Sequence, residues 1–146
     1  MRLVLADSGF FVGLFDPADA YHTKCRVFFD GFRGRFISTW SVFTEVGAML
    51  PHHRLRAFFD WAAKAQAAGH LQIESPPGEA IAALWQLVDK YETLPMDFCD
   101  ASLVYLAIHL KINQIASVDA RDFSVYRLPG NRRFTLVLES PGNTPH

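Results

Sequence analysis

Hydrophobic and polar positions follow two different spacings along this chain, and each spacing predicts one type of secondary structure. A short continuous apolar run at Leu3–Ala6 is typical of a strand buried on both faces of a parallel sheet. Further short strands are predicted at residues 35–39, 71–73, 114–118 and, at the edge of the sheet, 134–138. The first and the fourth of these strands end directly at an aspartate, Asp7 and Asp119.

Between the strands, apolar residues recur every three or four positions, which predicts amphipathic helices. Gly31 closes the first helix, Pro51 stops the second, which covers about 41–50, and Gly69 ends the third. A last helix, ending near Leu110, is apolar nearly all the way round. The positions predicted to face the core are Tyr21, Cys25, Phe28, Phe29 and Phe32 in the first helix, Leu55, Phe58, Phe59 and Ala62 in the third, and Ile81, Leu84, Trp85 and Val88 in a helix that starts near 75–79.

Strands that alternate with helices of ten or more residues predict an α/β fold in three layers, with helices on both faces of a central, mainly parallel, twisted sheet of four to five strands. No internal repeat or linker interrupts the pattern. We therefore expect a single domain over residues 1–139 and a loose tail at 140–146. Ligands of such sheets bind at the carboxyl ends of the strands.

Composition and charge narrow the possible environments. Half of the 146 residues are hydrophobic, a fifth are charged, and the two cysteines, Cys25 and Cys99, have no metal-binding spacing, so buried free thiols in a reducing compartment are expected. With no leader-like segment and no apolar run of ~20 residues, a cytoplasmic protein without a membrane partner is expected. A net charge of −1 creates no field that attracts nucleic acid, so a polyanion would need a local patch or a bound metal.

Four acidic residues occupy positions where a solvated charge is not expected. Asp7 and Asp119 follow strands, Glu45 has small or apolar neighbours on its helix, and Asp100 opens the apolar helix. Taken singly, the aspartates also fit ordinary structural roles. Asp97 can be the N-cap of that helix with Asp100 as its capping-box partner, and the acids after strands can be turn residues.

If these acids meet, their mutual repulsion must be offset. Two carboxylates ~5 Å apart at an effective dielectric constant of ~20 repel by roughly 3 kcal/mol, and four of them form six such pairs, comparable to the stability of a whole domain. Protonation can relieve part of this repulsion. A set of hard oxygen ligands without cysteine or histidine instead favours Mg²⁺ or Mn²⁺, and one or two such ions can activate water against a phosphodiester.

With Asp7, Glu45, Asp100 and Asp119 in this order, the sequence resembles the PIN-domain ribonucleases and, in size and layout, the VapC-like toxins of prokaryotic type II toxin–antitoxin pairs. The similarity extends from Arg2 to about Leu138. Four segments carry it: LADSGFFVGLFDPADAYH, STWSVFTEVGAML, PMDFCDASLVYLA and IASVDARDF.

The resemblance implies a Mg²⁺- or Mn²⁺-dependent endoribonuclease on a doubly wound sheet, often a homodimer, that is inhibited by an antitoxin encoded beside it. It implies that the four acids just named are the catalytic residues and the ligands of the metal. Ser8 and Ser117 match positions where such proteins keep a hydroxyl group, while Asp97 and Asp122 would be accessory at most. The arginines best suited to hold RNA phosphates are Arg54, Arg56, Arg121, Arg127, Arg132 and Arg133.

Two other classes of protein fit parts of the pattern. A PIN-like module that binds RNA or protein without catalysis would keep the fold and lack saturable metal binding. A phosphoryl-accepting receiver domain also places acids at strand ends. It would need an acidic pair after the first strand, however, and here Asp7 is followed by Ser8 and Gly9.

Overall fold

The computed structural model describes residues 1–94 and 96–139, and within them helices and short strands alternate as predicted. The strands are β1 Leu3–Ala6, β2 Arg35–Ser38, β3 Leu71–Ile73, β4 Gln114–Ala116, β5 Arg127–Leu128, β6 Arg132–Arg133 and β7 Thr135–Leu136. The helices are α1 Ser8–Phe15, α2 His22–Gly31, α3 Trp40–Met49, α4 His52–Ala68, α5 Ile81–Lys90, α6 Phe98–Leu110 and α7 Ala120–Val125. The tail predicted at 140–146 lies outside the described residues.

The central sheet has the order β3-β2-β1-β4-β7, and all of its neighbouring strands are parallel. β1 lies in the middle, where Leu5 pairs with Ile37 of β2 on one side and Ile115 of β4 on the other. The chain first proceeds outward from β1 to β3 and then returns to β4 on the other side. The order of the strands therefore reverses between β1 and β4, and a crevice at their carboxyl ends is where ligands of open α/β sheets bind.

The core lies against the sheet and is rich in aromatic rings. Phe10 and Phe11 of α1 are fully buried, and their ring centroids lie 5.3 Å from Phe36 and 5.2 Å from Phe58. Val4 and Leu5 of β1 are also 0% exposed, which confirms that this strand is buried on both faces. The two cysteines are buried free thiols, as predicted.

Several predicted core positions are wrong. Ile81 and Trp85 of α5 are 75% and 55% exposed, because this helix packs mainly against α6. Its packed face is narrow and half-buries Leu84, Leu87 and Val88. Phe59 of α4 is 44% exposed, since the adjacent Phe58 takes the core position. Tyr21 is also 44% exposed, because it precedes α2 as its N-cap.

Four elements, α1, α7, β5 and β6, carry no signal in the sequence that predicts them. α1 was missed because its sequence, SGFFVGLF, is apolar on every side and has no amphipathic period. α7 and the antiparallel β5–β6 pair are too short for a periodic pattern. The predicted edge strand at 134–138 is confirmed as β7, although it is shorter and pairs in parallel with β4. Among the described residues, no helix is both long and apolar enough to cross a bilayer.

Candidate active site

Acidic side chains from four distant segments line one cleft of about 520 Å³ at the carboxyl ends of β1 and β4. All four of the acids that the sequence singles out are there, and two further aspartates join them. The lining residues that carry oxygen ligands are Asp7, Ser8, Glu45, Asp97, Asp100, Asp119 and Asp122.

Asp7 follows β1 and is the N-cap of α1. It is only 7% exposed, and its Oδ1 accepts a hydrogen bond from the backbone N–H of Phe10 at 3.0 Å. The hydroxyl of Ser117, which is also buried, donates to Oδ2 of Asp7 and accepts from the backbone N–H of Asp119 at 2.9 Å. Ser117 therefore links the first and the fourth acid of the motif.

Glu45 lies on α3 and reaches the cleft half-buried. Ser8 Oγ donates to its Oε1 at 2.7 Å, which fixes the orientation of the carboxylate. Ser8 and Ser117 are thus both hydrogen-bonded to acids of the cleft, in keeping with the accessory role predicted for them. The thiol of Cys99 also lies beside Glu45. Burial, and then the Glu45 carboxylate, raise the pKa of that thiol far above its ordinary range.

Asp97 is the N-cap of α6 and accepts from the backbone N–H of Asp100 at 2.8 Å. The capping role considered for Asp97 is therefore correct. The side chain of Asp100 turns to a different partner, because the hydroxyl of Tyr126 donates to its Oδ2 at 3.0 Å. Tyr126 was not singled out in the sequence, since a tyrosine at the end of a short helix carries no spacing signal.

Asp119 is the N-cap of α7, and its Oδ1 accepts from the backbone N–H of Asp122 at 3.2 Å. Asp100, Asp119 and Asp122 each offer a carboxylate oxygen, and these oxygens all lie within 4.8 Å of one another. Hard divalent cations such as Mg²⁺ prefer oxygen ligands, so this group of three carboxylates could hold one such ion. Asp122 was expected to be accessory at most. Its place in the first turn of a helix capped by Asp119 is the signal that could have given it more weight.

The electrostatics of the cleft reflect this crowding. Burial raises the pKa of Asp7 to about 6, with Asp119 and Glu45 adding to the rise against the hydrogen bonds from Ser117 and Phe10. Burial and the charge of Asp97 raise the pKa of Asp100 to about 7. For Asp122, burial and the neighbouring Asp119 raise the pKa to about 6. Without a cation, these carboxyl groups therefore keep their protons to a higher pH than a free aspartate does.

The N-termini of three helices, α1, α6 and α7, also point to the cleft through their aspartate caps. A helix dipole stabilises a nearby carboxylate by about 0.3–1 kcal/mol. The repulsion between two carboxylates ~5 Å apart is roughly 3 kcal/mol at an effective dielectric constant of ~20. The dipoles therefore offset only part of the repulsion, and a bound cation would offset far more.

A larger cavity of about 810 Å³ lies at the opposite, amino-terminal edge of β1, β2 and β3. Its walls are mainly apolar and include Phe29, Phe32, Phe36 and Trp61. Among its described lining residues, only Asp30 carries a carboxylate. The smaller acidic cleft is therefore the candidate active site, because it is the one lined by several carboxylates.

The arginines predicted to hold RNA phosphates differ in whether their guanidinium groups are already hydrogen-bonded within the protein. Arg127 donates to the backbone carbonyls of Ser124, Val125 and Tyr126, so its guanidinium closes the end of α7. Arg132 donates to the carbonyl of Pro129. Arg121 is exposed on α7, next to the cleft, where its charge lowers the pKa of Asp122 against the larger raising effects.

A parallel sheet with helices on both faces and a carboxylate-lined cleft at its switch point is the arrangement expected of a PIN-like α/β fold. A comparison with solved structures agrees: the structure is similar to that of Mycobacterium tuberculosis VapC20, a toxin that cleaves the sarcin–ricin loop, with a TM-score of 0.69. The match covers 80% of this chain and 90% of VapC20 at 16% sequence identity. The chain therefore has the fold of a VapC-like PIN domain, as the motifs predict. No protein family profile and no curated protein matches the sequence.

Proposed function

We propose that this protein is a divalent-metal-dependent endoribonuclease that hydrolyses RNA phosphodiester bonds, and the toxin of a toxin–antitoxin pair. The observation that carries the proposal is the convergence of Asp7, Glu45, Asp100 and Asp119 on one cleft at the carboxyl ends of β1 and β4. The fold supports it, since VapC20 has the same architecture and cleaves the sarcin–ricin loop.

The residues that would hold Mg²⁺ or Mn²⁺ are the four predicted acids together with Asp122. The chemistry of the donor set fits these ions, because carboxylate oxygens are their preferred ligands and neither cysteine nor histidine lines the described cleft. A bound ion supplies a Lewis acid that stabilises negative charge on a phosphate and makes water more acidic.

The protein's own residues prepare the cleft. Ser117 and the N-terminus of α1 fix both oxygens of Asp7, and Ser8 orients Glu45. Arg121, exposed beside Asp122, is the arginine best placed to contact an RNA phosphate, where a guanidinium can bind in bidentate fashion. A cleft open to solvent suits a polymeric substrate.

The remaining parts of the proposal concern partners. A cytoplasmic toxin of this type would be inhibited by an antitoxin encoded next to it and would form a homodimer. A short neighbouring reading frame that encodes a DNA-binding fold with a disordered tail would support the toxin assignment over a housekeeping nuclease.

The test is incubation of the purified protein with RNA and Mn²⁺ or Mg²⁺, beside Asp7→Asn, Asp100→Asn and a control, Asp30→Asn. Asp30 is an exposed acid at the other cavity, where it pairs with Arg26. We expect cleavage by the parent and the control, abolition by EDTA, and a loss on the order of 100-fold in both cleft variants, since even partners behind the ligands are worth 10–100-fold.

Equal cleavage by the parent and the two cleft variants would refute this assignment. Calorimetry gives an independent result, because a module that binds RNA or protein without catalysis would show no saturable uptake of Mn²⁺.

A further inference from the structure

Tyr126 is a fully buried tyrosine whose hydroxyl donates to Oδ2 of Asp100 at 3.0 Å. It belongs to none of the motifs that indicate the acidic cleft. A buried phenol needs a hydrogen-bond partner, and many partners would serve. Here the partner is one of the cleft carboxylates.

The position of the Tyr126 ring is fixed on several sides. Its backbone N–H donates to the carbonyl of Asp122 at 3.1 Å and so closes α7. The ring packs edge-to-face on Tyr91, with centroids 4.9 Å apart and an interplanar angle of 64°, and on Phe123, at 5.1 Å and 82°. Such contacts hold a ring in one orientation. These contacts therefore fix the position of the hydroxyl beside Asp100.

The hydrogen bond joins two elements of the cleft. Asp100 lies in the first turn of α6, whereas Asp119, Asp122 and Tyr126 all belong to α7 or its ends. Because Tyr126 holds one oxygen of Asp100, the other oxygen remains available to a cation, since a carboxylate has about four lone-pair sites. A hydrogen bond to a charged group contributes more than a neutral one, especially where water is excluded.

We propose that Tyr126 is a positioning residue, which holds the Asp100 carboxylate where it converges with those of Asp119 and Asp122 on a divalent cation. The inference rests on the proposed function. Tyr126 would act through Asp100 and would not itself touch RNA or the metal.

The chain offers a matched control for the experiment. Tyr91 is 8% exposed and packs on Tyr126, but its hydroxyl accepts from the backbone N–H of Arg127 at 2.9 Å and contacts none of the acids in this way. Tyr91→Phe and Tyr126→Phe each remove one buried hydroxyl from the same aromatic pair. Only the second variant removes a donor from the cleft.

The experiment titrates the parent and both variants with Mn²⁺, using the EPR signal of the free ion, and compares melting temperatures in EDTA as a check on folding. We expect the Kd for Mn²⁺ to rise roughly tenfold or more in Tyr126→Phe, the range found for partners behind metal ligands, and to stay within about twofold of the parent in Tyr91→Phe. RNA cleavage by Tyr126→Phe at limiting Mn²⁺ should fall and recover at high Mn²⁺.

An unchanged Kd in Tyr126→Phe would overturn the inference, and so would an equal rise in both variants, which would indicate a general packing effect. Failure of the proposed function looks different. A parent that binds no Mn²⁺ would refute the metal site and this inference with it. A parent that binds Mn²⁺ without cleaving RNA would refute only the nuclease, and the comparison of Kd values would still decide the role of Tyr126.

Discussion

Three aspartates at the cleft, Asp7, Asp97 and Asp119, each accept a hydrogen bond from the backbone N–H three residues further on. Each is therefore an N-cap, the ordinary structural role of an aspartate before a helix. Capping uses one oxygen of the carboxylate, so the same side chain can also offer an oxygen to a cation. Asparagine caps a helix as well as aspartate does, which makes carboxylate-to-amide substitutions the informative ones.

Gly9 lies where α1 closely approaches Val118, the residue before Asp119. A Cβ atom at this position in α1 would lie 2.5 Å from Cγ2 of Val118, which follows β4. We expect Gly9→Ala to lower the free energy of unfolding by about 1–3 kcal/mol, the usual effect of overpacking, because the stiff valine cannot move aside. Urea denaturation measures this change.

Gly47 is the matched control, since it too is helical and a Cβ there would meet nothing within 4 Å. Gly47→Ala should raise the free energy of unfolding by up to about 1 kcal/mol through helix propensity. Similar effects of the two alanine substitutions would show that the contact between α1 and Val118 imposes no constraint.

At the scale of elements, the sequence predicts those with a clear period or a strong boundary. α4 ends at Gly69, whose φ of 81° favours glycine. α6 is predicted from the sequence although it is apolar all round, because it is long and begins at a capping aspartate. α1 has neither length nor a polar face, and α7 has only six residues. Periodicity shows which side of a helix is apolar, but it does not show how wide a part of that side packs against the core. For this reason the sequence predicts a core position for residues of α5 that are exposed.

Thr39 connects two of the elements that carry the acids. Its Oγ1 accepts from the backbone N–H of Val42 at 3.2 Å, which caps α3, and lies 3.1 Å from Oγ of Ser102 on α6. We expect Thr39→Val to lower the free energy of unfolding by about 1–2 kcal/mol, because a buried N–H loses its partner while the side-chain shape is kept. Thermal or urea denaturation measures the loss.

Thr44→Val tests the same chemical change at the surface of the same helix. Thr44 is exposed and donates to the carbonyl of Trp40 at 2.9 Å, so the free energy of unfolding should stay within about 0.5 kcal/mol of the parent. If both variants behave alike, Thr39 contributes no more than a surface hydroxyl.

For the whole molecule, the sequence predicts the parallel sheet and, from the shared direction of its strands, that acids following β1 and β4 lie at one edge. It could not predict how close they come. The separation depends on the order β3-β2-β1-β4-β7 and on side-chain contacts such as that between Tyr126 and Asp100, which join residues with no periodic relation. The metal-binding and catalytic roles of the acids remain predictions.

The stability of the metal-free molecule should depend on pH through the cleft. In the folded protein the pKa of Asp7 is raised to about 6 and that of Asp100 to about 7, from an ordinary 3.8, so the folded state binds these protons more tightly than the unfolded chain. Their contribution to stability is therefore fully present below about pH 4 and is lost as the pH rises through 6 and 7. In EDTA, this contribution should lower the melting temperature as the pH rises from about 4 to about 7 and should level off above that.

The double variant Asp7→Asn, Asp100→Asn should lose most of this pH dependence, because neither amide titrates, and at about pH 8 in EDTA it should be at least as stable as the parent. Mg²⁺ should raise the melting temperature of the parent at that pH and leave that of the double variant nearly unchanged. A parent whose stability is flat over this range would show that folding does not raise the pKa values of Asp7 and Asp100.

The hydrogen bond between Ser117 and Asp7 spans 110 positions of the chain, and the one between Ser8 and Glu45 spans 37. During synthesis, the amino-terminal half can place Asp7 and Glu45 but has neither β4 nor α7 to set beside them. A growing polypeptide is therefore without a complete cleft until the residues of β4 and α7 have left the ribosome. On the proposed function, nuclease activity would arise only at that stage, so an inhibitor would be needed only from then on.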